Sequence, residues 1–121
     1  MSIYPQVRMR RNRQHDWSRR LVRETHLSVD DLIWTMVVSD GESPRDPVPS
    51  MPGVDRVNIK ALVDDAKRAQ DLGIPAIAMF PHINPRYKDA TGSEAFNPQG
   101  LIPNAIRAVK EAAPELGIIV D

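Results

Sequence analysis

Apolar positions along the chain follow two periods, and the periods alternate. Leu32-Ile33-Trp34-Thr35-Met36-Val37-Val38 is an almost unbroken apolar, β-branched run, which predicts a strand buried on both faces of a parallel sheet. Ala76-Ile77-Ala78-Met79-Phe80 predicts a second strand, ended by Pro81, and Ile118-Ile119-Val120 after Gly117 predicts a third. Between the first two, Ile59, Leu62, Val63, Ala66 and Ala69 recur at helical spacing. Asn58 stands as N-cap of that helix, Gly73 suits a left-handed C′ position, and Pro75 bars continuation. A second helix is expected from Asn97-Pro98, with Asn as cap and Pro at its tolerated first position, burying Leu101, Ile102, Ala105, Ile106 and Val109. Pro103 either restarts that helix or costs it a hydrogen bond, and Pro114 marks its far end.

The order βαβαβ with short helix-to-strand returns implies an α/β fold with a parallel sheet and right-handed crossovers. Units of roughly 40 residues share pattern rather than sequence. A barrel of eight such units takes about 250 residues, so three strands make less than half of one, and the expectation is an incomplete (β/α)8 TIM barrel over residues 31–121. Gly41, Pro44, Pro47, Pro49, Pro52 and Gly53 break up the segment between the first strand and the first helix, which therefore reads as a long functional or interfacial loop.

Residues 1–30 read as an extended, partly helical basic arm. Between positions 8 and 23, Arg8, Arg10, Arg11, Arg13, Arg19, Arg20 and Arg23 face a single acid, Asp16. With Asp16 as cap, a short helix would set Trp17 and Leu21 four apart on one face, an apolar stripe that one arm cannot bury by itself. A solvated tail, an arm docked on another subunit and an arm on nucleic acid are all compatible with the charge run. Trp17 is the sole aromatic beside these arginines, which counts against base stacking and nucleic acid.

Composition narrows the chemistry. Sixteen basic residues balance sixteen acidic ones, so no global field calls for a polyanion or a membrane. No cysteine is present, which removes thiolate chemistry and Cys-type zinc sites and fits a cytoplasmic location. No apolar run reaches the roughly 20 residues of a membrane helix. The glycines match neither dinucleotide nor P-loop spacing, and the serines lack a nucleophile elbow. In a parallel α/β fold ligands gather at the carboxyl ends of strands, which singles out Ser39 and Asp40, Pro81 and His82, and Asp121. Asp121, closing an apolar strand, is either a partly desolvated functional acid or a cap on the next turn. Asp89 and Glu94 belong to a polar loop from His82 to Asn97 and serve as ligands for substrate or a cation, or simply face water.

Several segments in combination resemble porphobilinogen synthases, also called 5-aminolaevulinic acid dehydratases. They are Arg8-Met9-Arg10-Arg11-Asn12-Arg13, Arg19-Arg20-Leu21-Val22-Arg23-Glu24, Asp30-Asp31-Leu32-Ile33, Ser50-Met51-Pro52-Gly53-Val54 and Leu72-Gly73-Ile74-Pro75-Ala76. Gly92-Ser93-Glu94-Ala95 with Asn97-Pro98, and Pro114-Glu115-Leu116-Gly117-Ile118-Ile119-Val120-Asp121, complete the set. The resemblance implies a (β/α)8 lyase that condenses two 5-aminolaevulinate molecules on the route to haem, with an N-terminal arm embracing a neighbour in a homo-octamer. Trp17, Leu21, Arg19 and Arg20 then become subunit contacts, and Asp121 an active-site residue beside the second-bound substrate. It implies two Schiff-base lysines and a metal-binding segment for Mg2+ or Zn2+, all beyond Asp121; Lys60, Lys67, Lys88 and Lys110 match none of those positions, and no cofactor site is expected within these residues. A non-catalytic assembly or binding module built on the arm and part of a barrel is the competing expectation.

Overall fold

The computed structural model describes residues 3–8 and 10–120. Five strands form one sheet in the order β2-β3-β1-β4-β5. They are β1 (Ile33–Ser39), β2 (Arg45–Pro47), β3 (Asp55–Val57), β4 (Ala76–His82) and β5 (Gly117–Val120). The helices are α1 (Asp16–Leu21), α2 (Ile59–Asp71) and α3 (Leu101–Ala112). β1, β4 and β5 are adjacent and parallel, as the apolar runs require, and β3 also pairs parallel to β1. β2 runs antiparallel to β3, so the sheet is mixed.

The antiparallel pair is the main departure from the sequence reading, because the stretch taken as a loop holds a hairpin. Its strands, Arg-Asp-Pro and Asp-Arg-Val, carry no apolar alternation. Charge holds them instead. Arg56 lies 3.1 Å from Asp46 across the ladder, and Arg45 donates to Asp65 of α2 at 2.7 Å, with Asp55 at 3.9 Å. Asp65 is one of two buried polar residues among those described, and Arg45 satisfies its carboxylate. The same carboxylate holds the Arg45 guanidinium above its ordinary value.

One face of the sheet carries the core. Met36 and Val38 of β1, Ile77 and Met79 of β4 and Val57 of β3 pack with Leu62, Ala66 and Ala69 of α2 and Ala105 and Val109 of α3, with Leu116 closing the layer. Register explains the selection, since Trp34, Met36 and Val38 lie beside Ile77, Met79 and Pro81 and so share one face. Burying a side chain the size of Leu62 or Met79 stabilises by about 1.5–3 kcal/mol. The opposite face carries no helix, and apart from the buried Ala78 at its centre it is open: Ile33 and Thr35 of β1, Phe80 and His82 of β4 and Ile119 of β5 are exposed. The expectation of a strand buried on both faces therefore fails for this chain, because every long helix lies on the other side.

Element ends follow local chemistry, with three corrections. His15, not Asp16, is the N-cap of α1; Asp16 is its first residue and pairs with Arg19 at 3.3 Å. α3 begins at Leu101 with Gly100 as N-cap rather than at Asn97-Pro98. Pro103 therefore falls in the first turn, where a backbone N–H has no intrahelical acceptor, and it costs the helix nothing. β4 runs through Pro81 to His82. The N–H of Gly117 bonds to the carbonyl of Pro75, so odd-numbered residues of β4 turn toward β5, and Pro81 lies beyond Met79, the last residue of β4 paired with β5 among the described residues. Asn58 caps α2 as expected, accepting from the N–H of Ala61 at 3.0 Å, and Gly73 takes φ 77° just past its end.

Candidate active site at the carboxyl ends of the strands

The carboxyl ends of β1 and β4 lie side by side, with Ser39 opposite His82 in register. Parity sends both to the uncovered face, in line with Thr35 and Val37 on β1 and Ala78 and Phe80 on β4. Phe80, with 42% of its surface exposed, and Ile119 give this face an apolar floor; Ser39 and His82 give it a polar rim. Sequence reasoning finds the rim from strand ends and misses the floor, because the run Ala76-Ile77-Ala78-Met79-Phe80 reads as a buried strand. Asp40 sits one residue beyond β1, and its carboxylate accepts from the N–H of Asn84 at 3.3 Å, which ties the β1 and β4 loops together. Asp121, the residue expected to act at the end of β5, lies outside the described residues.

A cleft of about 490 Å3 opens at the same end, between the first turns of α2 and α3. Ser39 and Asp40 form one wall, Asn58 and Lys60 another, and Glu94 and Asn104 the third. The loop from 83 to 100 that roofs it is fastened by its own carboxylates. Asp89 accepts from the backbone N–H groups of Thr91 and Ser93 and from both their hydroxyls. The Ser93 hydroxyl, followed by the Ser93 amide, holds the Asp89 carboxyl down to about 2. Glu94 accepts from the side-chain amide of Asn97 at 3.2 Å and stands over the start of α3, where a Cβ on Gly100 would come within 2.9 Å of Oε1. Tyr87 stacks under the Arg86 guanidinium, 4.6 Å from its ring centre. Asp89 thus spends its acceptors on its own turn, and Glu94 spends part of its own on holding Asn97 at the head of α3.

One lysine of α2 reaches this end: Lys60 lines the cleft with its side chain exposed, whereas Lys67 lies exposed farther along α2 and Lys110 donates to the carbonyls of Pro114 and Leu116 at the opposite end of α3. Among the described residues no three His, Cys, Asp or Glu side chains come together to hold a metal. The resemblance places its Mg2+ or Zn2+ segment beyond Asp121, and the described residues supply no ligand set for either ion. No helix among the described residues is long and apolar enough to cross a membrane.

In the arm, α1 is organised by Ser18, whose buried Oγ lies 2.9 Å from the carbonyl oxygens of both Asn12 and His15. The Arg19 guanidinium donates to the Arg13 carbonyl and to Asp16. Trp17 and Leu21 stay 64% and 78% exposed, beside Arg20, Arg23 and His26 around a shallow groove.

Comparison with known proteins gives a consistent result. The family model described as delta-aminolevulinic acid dehydratase matches residues 6–121. A delta-aminolevulinic acid dehydratase of Bradyrhizobium diazoefficiens is 47% identical over 95% of this chain and 33% of its own length. That of Synechocystis is 44% identical over 98% of this chain and 36% of its own. The crystal structure of the Toxoplasma gondii enzyme, in complex with the reaction product porphobilinogen, superimposes with a TM-score of 0.86 at 37% identity, covering 99% of this chain and 34% of that one.

Proposed function

Since the chain belongs to the delta-aminolevulinic acid dehydratase family, we propose that it forms the first third of a porphobilinogen synthase, the lyase that joins two molecules of 5-aminolaevulinate into porphobilinogen. The chain spans about a third of the length of the relatives it matches. The observation that carries the reading is the family match over residues 6–121. The sheet supports it from the physical side. Helices cover one face, while the other shows an apolar floor with Ser39 and His82 at its rim, the arrangement expected of the opening strands of a (β/α)8 barrel whose interior is filled by later ones.

The division of labour follows. Schiff-base catalysis needs an uncharged amine in a dry, shaped pocket. Exposed lysines on α2, and a Lys110 whose ammonium is tied to two carbonyls, do not meet that need. As the resemblance implies, two lysines of the longer polypeptide would carry the covalent steps, and a segment beyond Asp121 would hold Mg2+ or Zn2+. Asp121, the residue that follows β5 in sequence, is the contribution of this chain to the chemistry: it holds the amino group of the second-bound substrate or assists proton transfer. Trp17, Leu21, Arg19 and Arg20 serve a homo-octamer by docking the arm on a neighbour. A cytoplasmic location, fitting the absence of cysteine, belongs to the same proposal.

Assays of the chain and of its full-length parent test the reading. The purified 121-residue chain is expected to form no porphobilinogen from 5-aminolaevulinate in a colorimetric assay, and product formation would refute the need for the remaining strands. In the parent, Asp121→Asn is expected to slow turnover by about 10²-fold or more, while borohydride still traps substrate on the lysines. Unchanged turnover would make Asp121 a structural cap.

A further inference from the structure

The three parallel strands carry little charge on the face that a barrel turns inward. Register puts Val37 and Ser39 of β1, Ala78, Phe80 and His82 of β4 and Ile119 of β5 on the face without helices. On that face of β1, β4 and β5, His82 is the single titratable side chain among the described residues. Arg56 of β3 lies beside Val37 on the same face, but its guanidinium is held by Asp46 at 3.1 Å. Later strands that close a barrel leave the alternation of inward and outward residues as it is, so the placement of His82 does not depend on how open the face is here.

Ser39 and His82 stand in register where the strands end. The Ser39 Oγ accepts from the N–H of Gly41 at 3.1 Å, which fixes the hydroxyl and leaves its proton to donate. An imidazole also donates, from at least one nitrogen, whether or not the ring is charged. Asp40, the next residue along β1, is engaged by the N–H of Asn84 at 3.3 Å, and this contact clips the β1 loop to the residues just after His82. The result is two donors side by side at a strand-end rim, held by the loops on either side, and such a pair suits a carboxylate.

We propose that His82, with Ser39 beside it, binds the carboxylate of a 5-aminolaevulinate molecule at the mouth of the barrel. The assignment rests on the lyase reading, in which the substrate is a short keto acid with an amino group at one end and a carboxylate at the other. Asp121 serves the amino end in that reading. An acid repels the other end, which therefore needs donors, and the strands beside β5 in the sheet order supply them. His82 is thus a substrate-binding residue that selects for the charged end of the molecule.

Calorimetry on the full-length parent tests the contact without turnover. The probes are 4-oxopentanoate, which shares the ketone and carboxylate of the substrate, and its methyl ester, which lacks the charge. His82→Ala should weaken binding of the acid about tenfold or more, the scale of a hydrogen bond to a charged group, and leave the ester nearly unchanged. Ser39→Ala should act in the same direction to a smaller extent. His82→Lys, which keeps a donor at the rim, should keep the preference for acid over ester. In turnover, His82→Ala should raise KM for 5-aminolaevulinate with little change in kcat. A His82→Ala parent that binds the acid as tightly as before, or that loses acid and ester equally, would overturn the assignment. Porphobilinogen formation by the unaltered parent reads the lyase function separately: its absence would refute that function, while the preference for acid over ester would still report on His82.

Discussion

Asp89 shows how much a single exposed side chain can be perturbed by its own turn. Four donors from Thr91 and Ser93 stabilise its charged form and hold its carboxyl at about 2, below the ordinary 3.8. The folded value is the lower one, so this turn contributes its stability above pH 4 and loses it as the pH falls toward 2. An NMR titration is expected to place the Asp89 midpoint near 2, and Ser93→Ala to move it back toward 3.8; a midpoint unaffected by Ser93→Ala would show that the hydroxyl does not hold the charge. At this scale the sequence was only partly legible. Asn58 was readable as a cap because its partner, Ala61, is three residues away. Asp65 was not, because a carboxylate within an apolar stripe is tolerable only through Arg45, twenty residues back, and no local pattern reports that pairing. Ser39 and His82 were found from their strand ends, whereas the aromatic floor under them came from parity alone.

Elements with an apolar period were legible in the sequence, and those held by charge were not. The three parallel strands and two long helices follow their hydrophobic stripes to within a few residues. The β2–β3 hairpin escaped because Arg45, Asp46, Asp55 and Arg56 look like solvated loop until their pairing is known. The start of α3 was misplaced because Asn97-Pro98 imitates a cap. In fact Asn97 accepts from the N–H of Gln99 through its side chain and from that of Gly100 through its carbonyl, making the turn that precedes the helix. Gly100 is needed there for space rather than for its backbone angles. A methyl group would meet Glu94 Oε1 at 2.9 Å and the Asn97 carbonyl at 3.0 Å. Gly100→Ala should therefore lower the stability of the chain by about 1–3 kcal/mol, the usual range for overpacking. Thermal unfolding measures this. An unchanged midpoint would mean that Glu94 swings aside freely.

For the whole molecule, the balance of faces and edges is the central property. One side of the sheet is closed by α2 and α3, the other is bare, and the arm projects an uncovered apolar stripe. If that stripe docks on a neighbour in the full-length parent, burying it is worth a few kcal/mol at about 25 cal/mol per Å2 of apolar area. Trp17→Ala is then expected to shift the parent toward smaller assemblies, and sedimentation of an unchanged oligomer would remove Trp17 from the contact. The β2–β3 hairpin carries a different consequence, one of timing. It belongs to the first 57 residues, so it is complete before β4 and β5 leave the ribosome. At about 5–20 residues per second, a nascent β1 waits a second or more for β4 to follow. During that wait the charged hairpin, with Pro47 on its outer strand, can shield the last residues of β1 and narrow the window for strand-to-strand aggregation.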